Sequence, residues 1–307
     1  MKTLHARSCA KINLELRILG RREDGFHDVK TILQAIDLCD EMDFEEAPEI
    51  TLDVTGTHQV PTGEANLVMR AARSLAARAS GLGARIRLRK QIPVGSGLGG
   101  GSSNAAVTLM ALDRLWGLNT DPGALNALAR SLGSDVPFFL YGGTCLGLGR
   151  GDEVIPMPDA PPRSVAVLWP REGLSTKQIY EGLPMPLTKM RILSSIKGFH
   201  PGTPTRDAEA PDRAPDSESF PDPVNDLEQI AFGVMPRLAR LKERLLASGA
   251  MGVAMSGSGS AIYGLYPAAR ELDALTSLLQ SDDAEVLACR TLTREAYRKR
   301  LFERSRT

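Results

Sequence analysis

Residues 92–106 read IPVGSGLGGGSSNAA, and no other stretch restricts what this chain can fold into as tightly. Gly95, Gly97, Gly99, Gly100 and Gly101 stand almost together, followed by Ser102, Ser103 and Asn104 and then an apolar, helix-like run. Glycine lacks a Cβ, so such a loop takes positive φ angles and brings bare backbone N–H groups close to a ligand. A helix opening directly behind it adds unpaired N–H groups and the positive end of its dipole. Together these form an anion cradle, for which phosphate is the usual guest.

Three better-known phosphate loops do not fit. Gly95, Gly97 and Gly100 satisfy GxGxxG, but a dinucleotide site needs an unbroken strand before the loop and an acidic residue ~20 positions later. Here Pro93 interrupts the strand, and Asp113 and Asp121 fall inside a helix and at a helix cap. A Walker A loop ends in GK[ST], where this chain has Gly101-Ser102-Ser103. No VAIK-like strand or HRD segment of a protein kinase follows.

The rest of the chain sets the frame. Its 307 residues suit one large domain or two moderate ones. Lys+Arg and Asp+Glu both number 37, a balance that argues against a nucleic-acid binder held by bulk charge. The N-terminus lacks a signal-peptide core and no apolar run reaches the ~20 residues of a membrane span, so a cytoplasmic protein with no membrane partner is expected. Cys9, Cys39, Cys145 and Cys289 lie far apart, which predicts no zinc site, no disulfide framework and a reducing compartment.

Alternation predicts strands at 10–19, 29–37, 49–54, 85–88, 164–169 and 262–266. Helical spacing predicts helices at 66–80, capped by Asn66, at 102–116, and from the Asp121-Pro122 cap to about 132, with another over 225–247. Ser134-Asp135 reads as the cap of a short element beginning at Val136-Pro137. Composition shifts at 156–163, which predicts a boundary between a first domain, 1–158, and a second, 159–307. The proline-rich acidic stretch 201–223 reads as a flexible insertion. The elements do not alternate as regular βαβ units, so the expected class is α+β.

At this point the residues resemble the phosphate loop of the GHMP small-molecule kinases, through PVGSGLGGGSSNAA at 93–106. Three further segments narrow the match: AKINL at 10–14, Gly25-Phe26-His27, and GSDVPFF at 133–139. Weaker matches are NLVMRAA at 66–72, STKQIY at 175–180, NDLE at 225–228 and 255–261. Within the family the likeness is closest to members acting on 4-diphosphocytidyl-2-C-methyl-D-erythritol. It implies a two-domain α+β fold with the active site in the cleft between domains. It also implies transfer of the γ-phosphate of ATP, with Mg²⁺, to the 2-hydroxyl of that cytidylyl polyol, a step of non-mevalonate isoprenoid synthesis. Homoserine or mevalonate kinase, and a silent nucleotide-binding regulator of the same fold, are the alternatives. Oligomeric state is not legible.

The resemblance assigns roles residue by residue. Asp135 is placed as the catalytic base, although alone it reads as a helix cap. Lys11, an awkward lysine on an alternating strand, is placed beside it; Asn13, one strand period on, shares its face. Phe26 and His27 fall where the family recognises cytidine, an aromatic face for stacking beside a ring with a donor and an acceptor. Phe26 stands where a tyrosine is common, so stacking survives while a phenolic hydrogen bond is absent. The ATP site is expected from Lys90, Pro93, Gly95, Gly97, Leu98, Gly99, Gly100, Gly101, Ser102 and Ser103. Lys90 reads equally as a surface lysine, and the two serines equally as helix caps. Residues 256–259 read as a loop closing the cleft or as a plain turn. No side-chain metal site is expected.

Overall fold

The computed structural model describes residues 2–79, 81–184 and 222–302. Most of the 201–223 stretch therefore lies outside the described residues. Two long antiparallel strands, β1 (Thr3–Arg21) and β2 (His27–Glu46), form the spine of the first half. The turn between them is closed by Arg22 N–H donating to Phe26 O (2.8 Å) and by Asp24 accepting from Phe26 N–H (3.1 Å), with Gly25 at φ +84°. β3 (Thr51–Gly56), β4 (Ala84–Lys90), β5 (Thr144–Leu148) and β6 (Glu153–Pro156) extend the sheet; β4 and β5 pair with different stretches of β2.

Helices α1 (Leu67–Ala76), α2 (Gly100–Trp116) and α3 (Pro122–Leu132) cover one face of this sheet. Their core gathers Met42, Phe44, Leu75, Ile86, Leu109 and Leu112, all buried. Asn66 caps α1 through Val68 N–H, as its residue type predicts, and Asp121 caps α3 through Gly123 and Ala124 N–H. α2 begins two residues earlier than the serines suggested, on Gly99 in the left-handed region at φ 72°, with no side-chain cap. The one-turn α4 (Phe138–Tyr141) is likewise uncapped by a side chain, so Asp135 does not act as the cap its position suggested.

The second half is a four-stranded antiparallel sheet in the order β11-β7-β10-β9, comprising β7 (Arg163–Trp169), β9 (Gly252–Met255), β10 (Ile262–Pro267) and β11 (Glu285–Arg290). A two-residue strand, β8 (Val224–Asn225), instead joins the first sheet, parallel to β1. After α5 (Thr176–Glu181), the expected helix over 225–247 is divided into α6 (Glu228–Val234) and α7 (Arg237–Ala247), because Pro236 cannot continue a helix from its N-terminal side. With α8 (Leu272–Leu279), α6 and α7 cover one face of the small sheet through Ala231, Leu238, Leu241, Leu245 and Leu275.

The opposite face of the small sheet packs on β1. Ala10, Ile12 and Leu14 meet Val165, Val167, Ala254 and Tyr263 in a third buried cluster. The middle of β1 is thus covered on both faces, which is why residues 8–14 are all buried. The last helix, α9 (Arg294–Leu301), returns to the first half and buries Tyr297 and Leu301 there. The architecture is α+β, with two layered halves and a cleft where β1, the glycine loop and the second sheet converge.

The register also corrects one expectation. Cys9 and Cys39 are direct partners across β1 and β2, 4.0 Å apart at Cα, which brings their sulfurs together as a pair. Their separation of 30 residues concealed a pairing that strand register creates.

Candidate functional site

The glycine loop connects β4 to α2 at the floor of the cleft. Gly95, Gly97 and Gly99 all have positive φ. Gly97 has no room for a side chain, since a Cβ there would lie 1.9 Å from the Ser256 carbonyl oxygen. The first intrahelical bond of α2 runs from Ser103 N–H to Gly99 O (2.9 Å). The N–H groups of Gly100, Gly101 and Ser102 therefore precede the helical ladder and are available to an anion.

Two cavities meet at this loop. The larger, about 820 Å³, is lined by Lys11, Asn13, Phe26, His27, Asp135 and Tyr180, and by Gly95, Gly97, Gly99 and Ser102 of the loop. The smaller, about 320 Å³, lies between the loop and the start of α1, with Val60, Asn66, Pro93, Gly100 and Gly101 on its walls. Gly95, Gly97, Gly99 and Ser102 line both.

Lys11 is 2% exposed, a costly position for an ammonium unless it is paired. Its Nζ lies 3.3 Å from Asp135 and donates to Asn13 Oδ1 at 2.6 Å. Asn13 is held in turn: its Nδ2 donates to Thr31 Oγ1 (2.8 Å), and its carbonyl accepts from Tyr263 OH (2.7 Å). The Lys11 backbone N–H donates to Leu98 O (2.9 Å), tying the strand to the loop. Bulges in the β1–β2 pairing flank Lys11 and Asn13, where such irregularities commonly re-aim side chains. Asp135, 37% exposed, faces the cavity from the turn before α4. A carboxylate and an ammonium thus share one wall, the first open to the cavity and the second beneath it.

The far end of the larger cavity is aromatic. Phe26, 49% exposed at the β1–β2 turn, carries the Arg150 guanidinium 3.8 Å from its ring centroid. The rings of His27 and Tyr180 are 5.3 Å apart. Burial, and then the positive charge of Arg21, hold the His27 imidazole below its ordinary value. Burial and the Asp135 carboxylate push the Tyr180 phenol up, keeping it a hydrogen-bond donor. Residues 257–259 line the cavity from the second half; beside them Ser256 Oγ donates to Gly97 O (2.9 Å), and the Thr176 and Ser258 hydroxyls are in contact at 2.8 Å.

Three residues expected at the ATP phosphates are committed elsewhere. Lys90 borders the smaller cavity, but its ammonium is buried against Asp40 at 2.7 Å and also donates to Ile92 O. Ser103 is fully buried and donates to Cys9 O (2.6 Å), whereas Ser102, one residue earlier, faces both cavities. Leu98 is fully buried in the cluster between the halves, leaving only its backbone in the loop. Arg150, Tyr180, Asp40 and Asn104 also stand at or beside the site, without a role expected from the sequence. Tyr180 closes the STKQIY segment and Asn104 stands in the loop motif, so both were within recognisable stretches; Arg150 and Asp40 carried no local signal.

The chain also matches known proteins in sequence and in fold. Residues 66–143 match the GHMP kinases N terminal domain model, and residues 214–281 the GHMP kinases C terminal model. A protein of Solibacter usitatus named 4-diphosphocytidyl-2-C-methyl-D-erythritol kinase is 40% identical over 99% of this chain and 94% of its own length. One of the same name from Pelotomaculum thermopropionicum is 38% identical over 92% of this chain and 96% of its own. A crystal structure of 4-(cytidine 5'-diphospho)-2C-methyl-D-erythritol kinase superposes with a TM-score of 0.73 at 33% identity, covering 94% of this chain and 99% of that one.

Proposed function

We infer the reaction from the premise that this chain belongs to the GHMP kinases, and within them to the 4-diphosphocytidyl-2-C-methyl-D-erythritol kinases. It is an ATP-dependent phosphotransferase that phosphorylates the 2-hydroxyl of 4-diphosphocytidyl-2-C-methyl-D-erythritol, supplying non-mevalonate isoprenoid synthesis in the cytoplasm. Among the described residues no helix is long and apolar enough to cross a membrane.

One observation carries the assignment of roles. The Lys11–Asp135 pair stands in the same cavity as both the glycine loop and the Phe26–His27 turn. In this reading the nucleoside of ATP occupies the smaller cavity and its phosphates lie over Gly95–Gly101 and the start of α2. The cytosine stacks at Phe26 and is read by His27, which puts the polyol between the two ends. Asp135 accepts the proton of the 2-hydroxyl as its oxygen bonds to the γ-phosphorus and the bond to the ADP oxygen breaks. Lys11 holds the carboxylate in place and attracts the phosphoryl oxygens, while the free N–H groups of α2 stabilise the phosphates.

Mg²⁺ belongs to the same reading. Such an ion would be carried largely by nucleotide phosphates and water. Ser102 and Asp135 are the side chains that would reach it, and the ion would neutralise charge on the phosphates.

The test is direct. Purified protein with ATP, Mg²⁺ and the cytidylyl polyol is expected to release ADP and form the 2-phosphate. Turnover of homoserine or mevalonate with none of the cytidylyl substrate would overturn the substrate assignment. ATP binding without turnover of any of them would favour the silent regulator.

A further inference from the structure

Behind the glycine loop, outside both chemical ends of the cleft, lies a buried carboxylate that the phosphoryl-transfer scheme does not use. Asp40 on β2 is fully buried. Its Oδ1 accepts the backbone N–H groups of Gln91 (2.7 Å) and Ile92 (2.8 Å). Its Oδ2 accepts Lys90 Nζ (2.7 Å) and Asn104 Nδ2 (2.9 Å). A carboxylate offers about four acceptor sites, and all are filled.

These four donors come from the two ends of one loop. Lys90, Gln91 and Ile92 lead into it, and Asn104 lies in the second turn of α2 where the chain leaves it. The exit is braced again, because Asn104 Nδ2 also donates to Ser8 Oγ (2.9 Å), and Ser8 Oγ donates to Ser103 Oγ (2.8 Å). Ser103 Oγ completes the chain onto Cys9 O. The four bonds to the Asp40 carboxylate are charge-assisted, and such bonds are short and directional, so they define where a backbone sits. Burial pulls the Lys90 ammonium below its ordinary value while Asp40 opposes that pull, so each charge depends on the other.

We propose that Asp40 is the positioning residue of the phosphate loop: by gripping entry and exit together it sets the span between Ile92 and α2, and so aims the N–H groups of Gly100, Gly101 and Ser102 at the phosphates of ATP. Lys90 and Asn104 act as its clamps. The inference rests on the reading of this loop as the ATP phosphate site.

The variant Asp40→Asn keeps the shape and replaces one acceptor oxygen by a donor, so two of the four bonds are lost. A displacement of a positioned group by ~1 Å costs up to ~10²-fold. The expected result is a rise of about tenfold or more in the KM for ATP, with the KM for the cytidylyl substrate changing less than about twofold, measured well below the melting temperature of the variant. The double variant Asp40→Asn/Lys90→Gln, which restores a neutral hydrogen-bonded pair, is expected to recover part of the ATP effect. If Asp40→Asn does not fold, Asp40→Ser, smaller and still an acceptor, carries the same measurement. A folded variant with unchanged KM for ATP, or with both KM values raised equally, overturns the proposal. A wild-type protein that phosphorylates nothing overturns instead the functional reading beneath it, so the two failures are distinguishable.

Discussion

Gly97 is the position where backbone geometry and chemistry are most tightly joined, and Gly97→Ala tests that join. Its φ is +80°, and a Cβ would sit 1.9 Å from Ser256 O, 2.9 Å from Ser256 C and 3.1 Å from Gly259 O. Moving the first contact out to 3.0 Å requires the loop and the 256–259 segment to separate by about 1.1 Å. The left-handed backbone costs an alanine about 1–2 kcal/mol. Forcing a methyl into a packed site adds about 1–3 kcal/mol. The expected destabilisation is therefore about 2–5 kcal/mol. A ~1 Å misplacement of positioned groups also lowers rate by up to ~10²-fold, or about 2.7 kcal/mol of transition-state stabilisation. The assay is kcat/KM from ADP release alongside a thermal melt. Gly101→Ala is the control, since a Cβ there meets only Leu67 at 3.8 Å, and alanine favours a helix over glycine. It is expected to keep or raise the melting temperature. Wild-type kcat/KM and stability in Gly97→Ala would refute the argument that the two loops are in obligatory contact.

The remaining predictions concern the two ends of the cleft. Asp135→Asn is expected to retain ATP binding, measured by calorimetry, while turnover falls by at least ~10²-fold; unchanged turnover removes Asp135 from the base role. Phe26→Ala is expected to raise the KM for the cytidylyl substrate far more than that for ATP, and equal changes count against stacking. His27 is held below the ordinary 6.5 by burial and then by Arg21, so the folded protein binds that proton less readily than the unfolded chain. Its contribution to stability is accordingly present above that value and lost as pH falls below it. The KM for the cytidylyl substrate is expected to stay flat between pH 7 and pH 8.5, about the range in which the imidazole is neutral, and to rise only under acid conditions. A KM that instead falls as the pH drops would show the protonated ring to be the binding form.

Local signals were legible wherever a residue acts on its own neighbourhood. Asn66 and Asp121 cap the helices that follow them, and Pro93 and the glycines mark a loop because their backbone preferences need no distant partner. Even the burial of β7 on both faces was foreshadowed by its unbroken apolar run. Misreadings arose where chemically equivalent residues compete for one role. Ser102 and Ser103 differ by a rotation of about 100° on α2, enough to send one to the cavity and the other to Cys9. Lys11 and Lys90 both end up buried, one against the cavity carboxylate Asp135 and the other against the hidden Asp40. Cys9 and Cys39 meet only because two strands pair in one register.

Legible in the residues alone are a glycine-rich loop at a helix start, of the kind that cradles phosphate, and a family pattern that marks Asp135, Lys11 and the Phe26–His27 turn. Those are properties of short segments, set by glycine torsions, capping and residue chemistry within a few positions. Which lysine and which serine line the cleft, and that Asp40 bonds to both ends of the loop, emerge from packing in three dimensions. Strand register, bulges and double-sided burial of β1 make those choices, and they depend on packing between residues that lie from tens to hundreds of positions apart.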